Sequence, residues 1–228
     1  MIGIIGAMDI EVDLLKAQMQ EPQTKTVSGI SFVQGLLCGR PAVVARCGVG
    51  KVNAAVCAQT MILNYAPESV INTGVAGSLS NTFDIGDVVV ADYVVQGDVD
   101  TTALGDPPGF ISTVDIIKIP CSPSVRGGLL EAGTALGLHC AKGIVATTDS
   151  FIATKEKKDY LAGQFGASAC EMEGGAIGHV CYRNGVPFCV IRSISDNADD
   201  SSPLSYTEFV RIAADNLVSV IKTFFERL

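Results

Sequence analysis

The sequence predicts a mixed α/β fold in which helices cover both faces of a central sheet. Short apolar runs typical of buried strands alternate with segments of helical composition along the whole chain. Near the amino end, three strand-like runs follow one another with only turn signals between them, which indicates a meander in the same sheet. No linker interrupts the 228 residues, so we expect a single domain spanning 1–228.

Composition restricts the classes of function. Hydrophobic residues make up 48% of the chain and charged residues 18%, which favours a packed core and excludes the disordered class. The net charge of −8 would repel nucleic-acid backbones and anionic membrane surfaces. We therefore expect neither nucleic acid nor membrane as a partner, and a small molecule or another protein instead.

Targeting signals and metal-binding patterns are not found in the sequence. The amino end lacks a basic n-region, and no apolar run is long enough to span a bilayer. Eight cysteines without an export signal indicate free thiols in a reducing cytoplasm. There is no CxxC pair, and His139 and His179 are the only histidines, so we expect no metal and no cofactor.

The first elements are predicted as a buried strand, Ile2 to Ala7, followed by a helix with acidic residues in its first turn. Glu11 lies in that turn. It either stabilises the helix dipole or is held over a ligand by the strand end, and both interpretations stay open. The meander covers Thr24 to Cys47. Gly48 to Lys51 lacks the spacing of a phosphate loop and is interpreted as a tight turn between a strand and a helix.

The middle of the chain contains a run of small residues. Ser69 to Thr73 is predicted as a short strand closed by Gly74 to Ser78, where the backbone can approach either a packed helix or a ligand. A β-branched strand follows at Asp87 to Gln96. Gly97 to Pro123 is too long for a plain connection, and we interpret it as a lid or a subunit contact.

The following segments are predicted as helix, strand, helix, short strand and two more helices: Ser124 to Leu138, His139 to Thr148, Lys155 to Gln164, Ala167 to Cys170, a helix through Tyr182, and Ser205 to Leu228. Phe151 follows a polar strand end and could form the floor of a pocket for a flat ring. Glu171 and Glu173 are two residues apart near a strand–helix junction, so we expect only one of them to face a given site.

The stretch Cys189 to Asp200 combines a buried strand with acidic residues at its carboxyl end. Phe188 to Ile194 is apolar except for Arg192, and it opens into Ser195, Asp196, Asp199 and Asp200. Asp196 either caps a turn or takes part in chemistry. Three acids, at positions 11, 173 (or 171) and 196, can converge at one rim of the sheet. Such a set suits cleavage of a glycosidic bond.

Six segments in order carry a resemblance to a known family: GIIGAMDIEVDLL, CGVGKVNAA, INTGVAGSL, DSFIA, CEMEGGAIGHVC and VIRSISDNAD. Together they resemble the bacterial 5′-methylthioadenosine/S-adenosylhomocysteine nucleosidases of the nucleoside phosphorylase superfamily, over nearly the whole chain. The resemblance implies a homodimer of three-layer αβα subunits with a mixed central sheet. It also implies hydrolysis of these adenosine thioethers to adenine and a thioribose, in methionine salvage and in recycling of S-adenosylmethionine by-products.

The resemblance also implies roles for individual residues. Asp196 would protonate adenine N7 with help from Ser195, and Glu11 would be the base for the attacking water. These roles require opposite protonation states, so we expect burial and hydrogen bonds to hold Asp196 protonated while Glu11 stays ionised. The implied substrate contacts are Glu173 and Met172 at the ribose, Arg192 at the ribose and the water, Phe151 and the backbone of Ile152 at adenine, and Met8, Val49 and Tyr206 at the ribose and alkylthio end.

Two positions depart from the family pattern. Val75 stands where the nucleosidases commonly carry Ser, and Leu104, in the loosely matching segment Asp100 to Asp115, stands where an aromatic residue is common. Asp9 and Glu11 after the first strand offer no cationic ligand for phosphate, so water is the expected nucleophile. The alternatives are a nucleosidase for futalosine or other adenosine derivatives, a purine nucleoside phosphorylase, and a nucleoside-binding protein without turnover.

Overall fold

The computed structural model describes residues 1–199 and 202–228, which form ten strands and six α-helices. In chain order they are β1 (Ile2–Gly6), α1 (Asp9–Ala17), β2 (Gln20–Val27), β3 (Ile30–Leu37), β4 (Arg40–Arg46), α2 (Lys51–Tyr65), β5 (Ser69–Ser78), β6 (Val88–Gln96), β7 (Ile119–Pro120), α3 (Pro123–Ala135), β8 (Cys140–Thr147), α4 (Lys155–Phe165), β9 (Ala169–Glu171), α5 (Gly174–Asn184), β10 (Phe188–Asp196) and α6 (Ser202–Glu226). The predicted order of strands and helices is confirmed, including the meander of β2, β3 and β4, except that the short strand β7 was not predicted.

All ten strands belong to one mixed sheet. Its order is β10-β6-β8-β9-β5-β1-β4-β3-β2, with β7 paired to β6. β10 also pairs in parallel with β5, so β5, β10, β6, β8 and β9 close into a ring from which β1, β4, β3 and β2 extend. The mixed sheet is confirmed. Its closure was not predicted, because an apolar run indicates a buried strand but not the partner with which it pairs.

The helices form two groups that pack on the sheet. α6 packs against α1 and α3 and lies on β10 and β5, while α2 packs against α5, which lies on β6, β8 and β10. The core between these layers contains the fully buried side chains of Ile4, Val44 and Val190. Each such side chain stabilises the fold by roughly 1.5–3 kcal/mol relative to exposure. Two groups of helices around one sheet agree with the predicted layered architecture.

Two predicted segments differ in the structure. β5 does not end at Thr73 but continues through the small residues to Ser78, where it pairs with β9 and β10. The segment Gly97 to Pro123 contains a 3-10 helix, Thr102–Leu104, and the short strand β7. Asp200, predicted at the end of the β10 stretch, lies outside the described residues. None of the described helices has the length and apolar composition needed to cross a membrane.

Candidate active site

A cavity of about 260 Å³ opens where β1, β5, β9 and β10 end. It is bordered by Glu11, Glu173 and Asp196, so the structure brings the three predicted acids to one site. The other predicted site residues that border it are Met8, Val49, Val75, Phe151, Ile152, Met172, Ser195 and Tyr206. Arg192 does not line the cavity.

Glu11 is held by backbone donors from two elements. Its Oε2 accepts hydrogen bonds from the N–H groups of Ala7 (2.7 Å) and Met8 (2.9 Å), and its Oε1 accepts one from Val75 (3.1 Å). The bond to Met8 caps the start of α1, so the side chain has a role at the helix start and also lies at the cavity. Burial raises the pKa of Glu11, although the nearby Arg192 charge and the three N–H donors favour the carboxylate. A raised pKa makes this group a better proton acceptor.

Asp196 is the last residue of β10 and is buried. Its Oδ2 accepts a hydrogen bond from Ser195 Oγ (2.9 Å), and its Oδ1 accepts one from the N–H of Ala198 (2.9 Å). The bond to Ala198 is the local turn contact expected of a capping Asp. The two interpretations of Asp196 are therefore compatible, because the carboxyl group that closes this turn also borders the cavity.

Glu173 lies at the N-cap position of α5. Its Oε1 accepts a hydrogen bond from the N–H of Gly50 (2.9 Å), which ties the turn before α2 to the site. Burial and then the neighbouring Glu171 charge raise the pKa of Glu173 to about 7. Glu171 binds Arg192 and Thr147 instead. Both glutamates border the cavity, although we expected only one of them to face it.

Arg192 lies behind the cavity wall. Its Nη2 donates to Asn72 Oδ1 (2.5 Å) and to Glu171, and the guanidinium is almost fully buried. The resemblance implied that Arg192 contacts the ribose and the water, whereas the structure places it against Glu171. A buried guanidinium requires a carboxylate partner, and β9 supplies one at this position.

Aromatic and sulfur-containing side chains border the open side of the cavity. The Phe151 and Tyr206 rings meet edge to face with centroids 5.7 Å apart, and Tyr206 Oη lies 3.2 Å from Met8 Sδ. Phe151 is 47% exposed, which leaves much of its ring free to stack on a flat base. Val49 is similarly exposed. These surfaces suit a purine and a thioether.

Cys170 also borders the cavity and was not predicted. Its Sγ is 3.7 Å from the carbonyl oxygen of Gly77 and close to Asp196. Burial raises the pKa of this thiol well above its usual range, so it is neutral and unreactive. A small apolar residue in a strand looks like a core residue, and the sequence contains no signal that separates Cys170 from the other buried cysteines.

Gly74 allows Glu11 and Arg192 to approach each other. A Cβ at position 74 would lie 2.5 Å from Glu11 Oε1 and 2.7 Å from Arg192 Nη1. We expect Gly74→Ala to lower kcat/KM of the hydrolysis that the resemblance implies by about 10²-fold or more, because a 1 Å displacement of reacting groups can cost that much. Steady-state assays of the variant test this.

Gly163→Ala is the matched control for Gly74→Ala. Gly163 lies in α4, and nothing lies within 4 Å of the position that its Cβ would take. We expect full activity and an unchanged or slightly raised melting temperature, since Ala is the better helix former. Full activity of the Gly74→Ala variant would show that the reaction does not depend on the close approach at this glycine.

Comparison with known proteins identifies the family. A family model described as the phosphorylase superfamily matches residues 1–226. A 5′-methylthioadenosine/S-adenosylhomocysteine nucleosidase of Shewanella pealeana is 38% identical over 100% of this chain and 99% of the relative.

Solved structures agree with the sequence match. The nucleosidase of Neisseria meningitidis in complex with methylthio-immucillin-A has a TM-score of 0.96 and 31% identity, covering 100% of this chain and 99% of that one. The futalosine hydrolase of Helicobacter pylori has a TM-score of 0.95 and 36% identity, covering 100% and 97%. The chain belongs to the phosphorylase superfamily and, within it, to the 5′-methylthioadenosine/S-adenosylhomocysteine nucleosidases, which are N-glycosidic hydrolases.

Proposed function

We propose that this chain hydrolyses the N-glycosidic bond of 5′-methylthioadenosine and S-adenosylhomocysteine, with Asp196 as acid and Glu11 as base. The observation that supports it most is the convergence of Glu11, Glu173 and Asp196 on one cavity with an aromatic rim. An acid, a base and a ligand for the sugar hydroxyls are the groups that this cleavage requires. The reaction needs no metal or cofactor, because side chains supply all three.

Departure of the base is the first part of the reaction. Asp196 donates its proton to adenine N7 as the C1′–N9 bond breaks, and the bonding electrons move into the purine. Ser195 Oγ, 2.9 Å from Asp196 Oδ2, orients the carboxyl group. Protonation makes the leaving group neutral adenine instead of an anion, which lowers the barrier to bond cleavage.

Attack of water completes the reaction. Glu11 accepts a proton from water as the water oxygen bonds to C1′, which gives the thioribose product. Three backbone N–H donors support the ionised form of Glu11, and burial increases its basicity. Val75 brings an apolar side chain to this part of the cavity, so its contribution to the water site is its N–H bond to Glu11.

The remaining cavity residues hold the substrate. Glu173 accepts hydrogen bonds from the ribose hydroxyls, and Met172 packs against the sugar. Phe151 stacks on adenine, and the backbone of Ile152 binds the edge of the base. The thioether lies among apolar, adaptable side chains, which suit its polarisable sulfur; these are Met8, Val49 and Tyr206.

Futalosine hydrolysis is the second candidate function. It is favoured by the futalosine hydrolase of H. pylori, at 36% identity and a TM-score of 0.95. The long segment Asp100 to Asp115, with Leu104 83% exposed, matches the family loosely, and none of its residues borders the cavity. A larger substituent at that end is therefore compatible with the site.

A side-by-side turnover assay tests the function. Methylthioadenosine, S-adenosylhomocysteine, adenosine and futalosine are incubated with the protein in phosphate-free buffer, and release of the free base is measured. We expect adenine from both thioethers at kcat/KM values above that for adenosine. Adenine release only after addition of phosphate would identify a phosphorylase. Binding without release would identify a nucleoside-binding protein, and faster turnover of futalosine would establish the second candidate.

We also propose that residues 1–228 form a single domain that assembles as a homodimer. The family match over residues 1–226 supports one domain. Apolar side chains are exposed along α2, and Val52 and Leu63 are each 74% exposed. Exposed apolar stripes of this kind mark contact surfaces, and a second copy of the chain can cover the stripe symmetrically.

The variant Val52→Glu/Leu63→Glu tests the dimer. We expect it to sediment as a monomer at micromolar concentration while the wild type sediments as a dimer, because two buried carboxylates per subunit would oppose association. Analytical ultracentrifugation measures this. Leu136→Glu, which places one such carboxylate at an exposed position at the end of α3, is the control. Equal dimer fractions in all three proteins would contradict the proposed interface.

The cellular role follows from the substrates. Both thioethers are by-products of reactions that use S-adenosylmethionine, so the enzyme would act in methionine salvage and by-product recycling. We infer a cytoplasmic location from these reactions, and free cysteines at all eight positions fit a reducing compartment.

A further inference from the structure

A buried ion pair, Arg192 behind the cavity wall with Glu171 at the wall, has no role in the mechanism above. Arg192 Nη2 bonds to Glu171 Oε2 and to Asn72 Oδ1 (2.5 Å). Both charged side chains are almost fully buried. Burying two charges costs several kcal/mol each before their attraction is counted, so the pair adds little net stability to the fold. This cost suggests a function for the pair.

Glu171 has a second set of partners that fix its position. Its Oε2 accepts hydrogen bonds from the N–H groups of Glu173 (3.0 Å) and Gly174 (2.7 Å) at the start of α5. Its Oε1 accepts one from Thr147 Oγ1, which in turn accepts the N–H of Gly175 (2.6 Å). The carboxylate is therefore anchored to β8 and α5 whether or not Arg192 moves.

Arg192 is shared among three carboxylates. Its Nη2 is 3.9 Å from Glu173 Oε2 in addition to the bond with Glu171. Its Nη1 and Glu11 Oε1 lie 2.7 Å and 2.5 Å from the point where a Cβ on Gly74 would stand, so both lie beside the same glycine. Arg192 Nε has no hydrogen-bond partner among the described residues. The guanidinium therefore lies near both Glu11 and Glu173. Without Glu171 to hold it, it could form a closer ion pair with either of them.

We propose that Glu171 is a positioning residue that keeps Arg192 in its own ion pair, so that Glu11 and Glu173 stay basic enough for the reaction. This inference rests on the proposed function. A guanidinium paired directly with Glu11 would stabilise its carboxylate and weaken it as an acceptor of the water proton. The two glutamates of the EMEG segment thus have separate roles, Glu173 at the substrate and Glu171 at the arginine.

The other titratable groups around this set do not replace Arg192. The groups that face Glu11 and Glu173 from neighbouring elements are Asp196 of β10, the thiol of Cys47 after β4 and the phenol of Tyr206 on α6. Burial raises the pKa of Cys47 and of Tyr206, so both are neutral at pH 7. Arg192 is the cation that acts on both Glu11 and Glu173, and its charge lowers the pKa of each.

The pH profile of kcat/KM tests the proposal, because its acid limb reports the ionisation of Glu11 and Glu173 as a coupled set in the free enzyme. Glu171→Gln keeps the size of the side chain and removes its charge. We expect its acid limb to move to lower pH by about one unit, since the Glu171 charge that raises the pKa of Glu173 is lost and Arg192 then acts more strongly on the remaining carboxylates. Thr147→Val removes a hydrogen bond to Glu171 without changing any charge, and its acid limb is expected to stay at the wild-type pH.

Asn72→Asp is expected to move the acid limb of kcat/KM in the opposite direction. It places a carboxylate within 2.5 Å of Arg192 Nη2, which draws the guanidinium away from Glu11 and Glu173 and adds a negative charge near them. We expect the acid limb to move to higher pH. If Glu171→Gln does not fold, the proposal is tested by Asn72→Asp alone. An acid limb of Asn72→Asp that stays at the wild-type pH or moves to lower pH overturns the proposal.

The outcomes for this inference and for the proposed function are distinct. An active, folded Glu171→Gln variant with an unmoved limb, or with the same limb as Thr147→Val, would overturn the positioning role and leave the hydrolase function intact. A wild-type protein that releases no adenine from any of the nucleosides would overturn both.

Discussion

Asp196→Asn is expected to lower kcat for adenine release from methylthioadenosine by about 10²–10⁴-fold, the usual contribution of a general acid. Asn has nearly the same shape as Asp, and its amide oxygen can still accept the N–H of Ala198. The amide cannot give up a proton to adenine N7, so the base must leave as an anion. Steady-state release of adenine at saturating substrate measures the loss, and KM is expected to change little.

Asp159→Asn is the matched control for this variant. Asp159 is an exposed residue of α4 that pairs with Lys155, and it does not border the cavity. The control should retain wild-type kcat, and both variants should melt within a few degrees of the wild type. Calorimetric titration of Asp196→Asn with methylthioadenosine should show binding without turnover. A kcat within a few-fold of wild type would assign the proton donor to another group.

The helices and strands could be predicted because their signals are local. Apolar runs predicted the strands, and the acidic first turn predicted the start of α1, Asp9–Ala17. The ring closed by β10 and β5 could not be predicted, because the partners are more than 100 residues apart in sequence and buried strands carry no mark of their neighbour. The same ring explains why β5 continues through Gly74 to Ser78, since both β9 and β10 pair with that part.

The candidate site was only partly predictable from the residues. Composition and spacing left Glu11 and Asp196 divided between capping and chemistry, and each carboxyl group makes a local backbone bond while bordering the cavity. The six ordered motifs, not periodicity, selected the chemical interpretation. The contacts of Arg192 could not be predicted, because they depend on a carboxylate from β9 and an amide from β5.

The ionisation states of the buried glutamates also depend on tertiary contacts that the sequence does not reveal. Glu11 and Glu173 are both buried near one buried guanidinium, that of Arg192. Charged groups in such surroundings shift towards their neutral forms unless hydrogen bonds or a counter-charge oppose the shift. The three backbone donors to Glu11 provide that opposition, whereas Glu173 receives one donor and has a pKa of about 7. Glu11 is therefore the acid best supported as the ionised base.

Glu11→Gln is accordingly expected to lower kcat by about 10²–10⁴-fold, because an amide cannot accept the proton of the attacking water. The amide oxygen can still accept the N–H groups of Ala7 and Met8, so the start of α1 is kept. The amide NH₂ would face the N–H of Val75, a pair of donors that costs about 1–3 kcal/mol of stability. Turnover at saturating methylthioadenosine and thermal melting measure the two effects.

Two further variants separate loss of the base from loss of structure. Glu11→Asp keeps a carboxylate but withdraws it by one methylene group, so its kcat should lie between those of the wild type and Glu11→Gln. Glu208→Gln removes a carboxylate from an exposed position on α6 and should leave kcat unchanged. The acid limb of kcat/KM should also change in Glu11→Gln, since only Glu173 of the coupled pair can still titrate. If Glu11→Gln released adenine at the wild-type rate, water activation would have to be assigned to another group at the cavity, and Glu173 is the nearest candidate by burial and basicity.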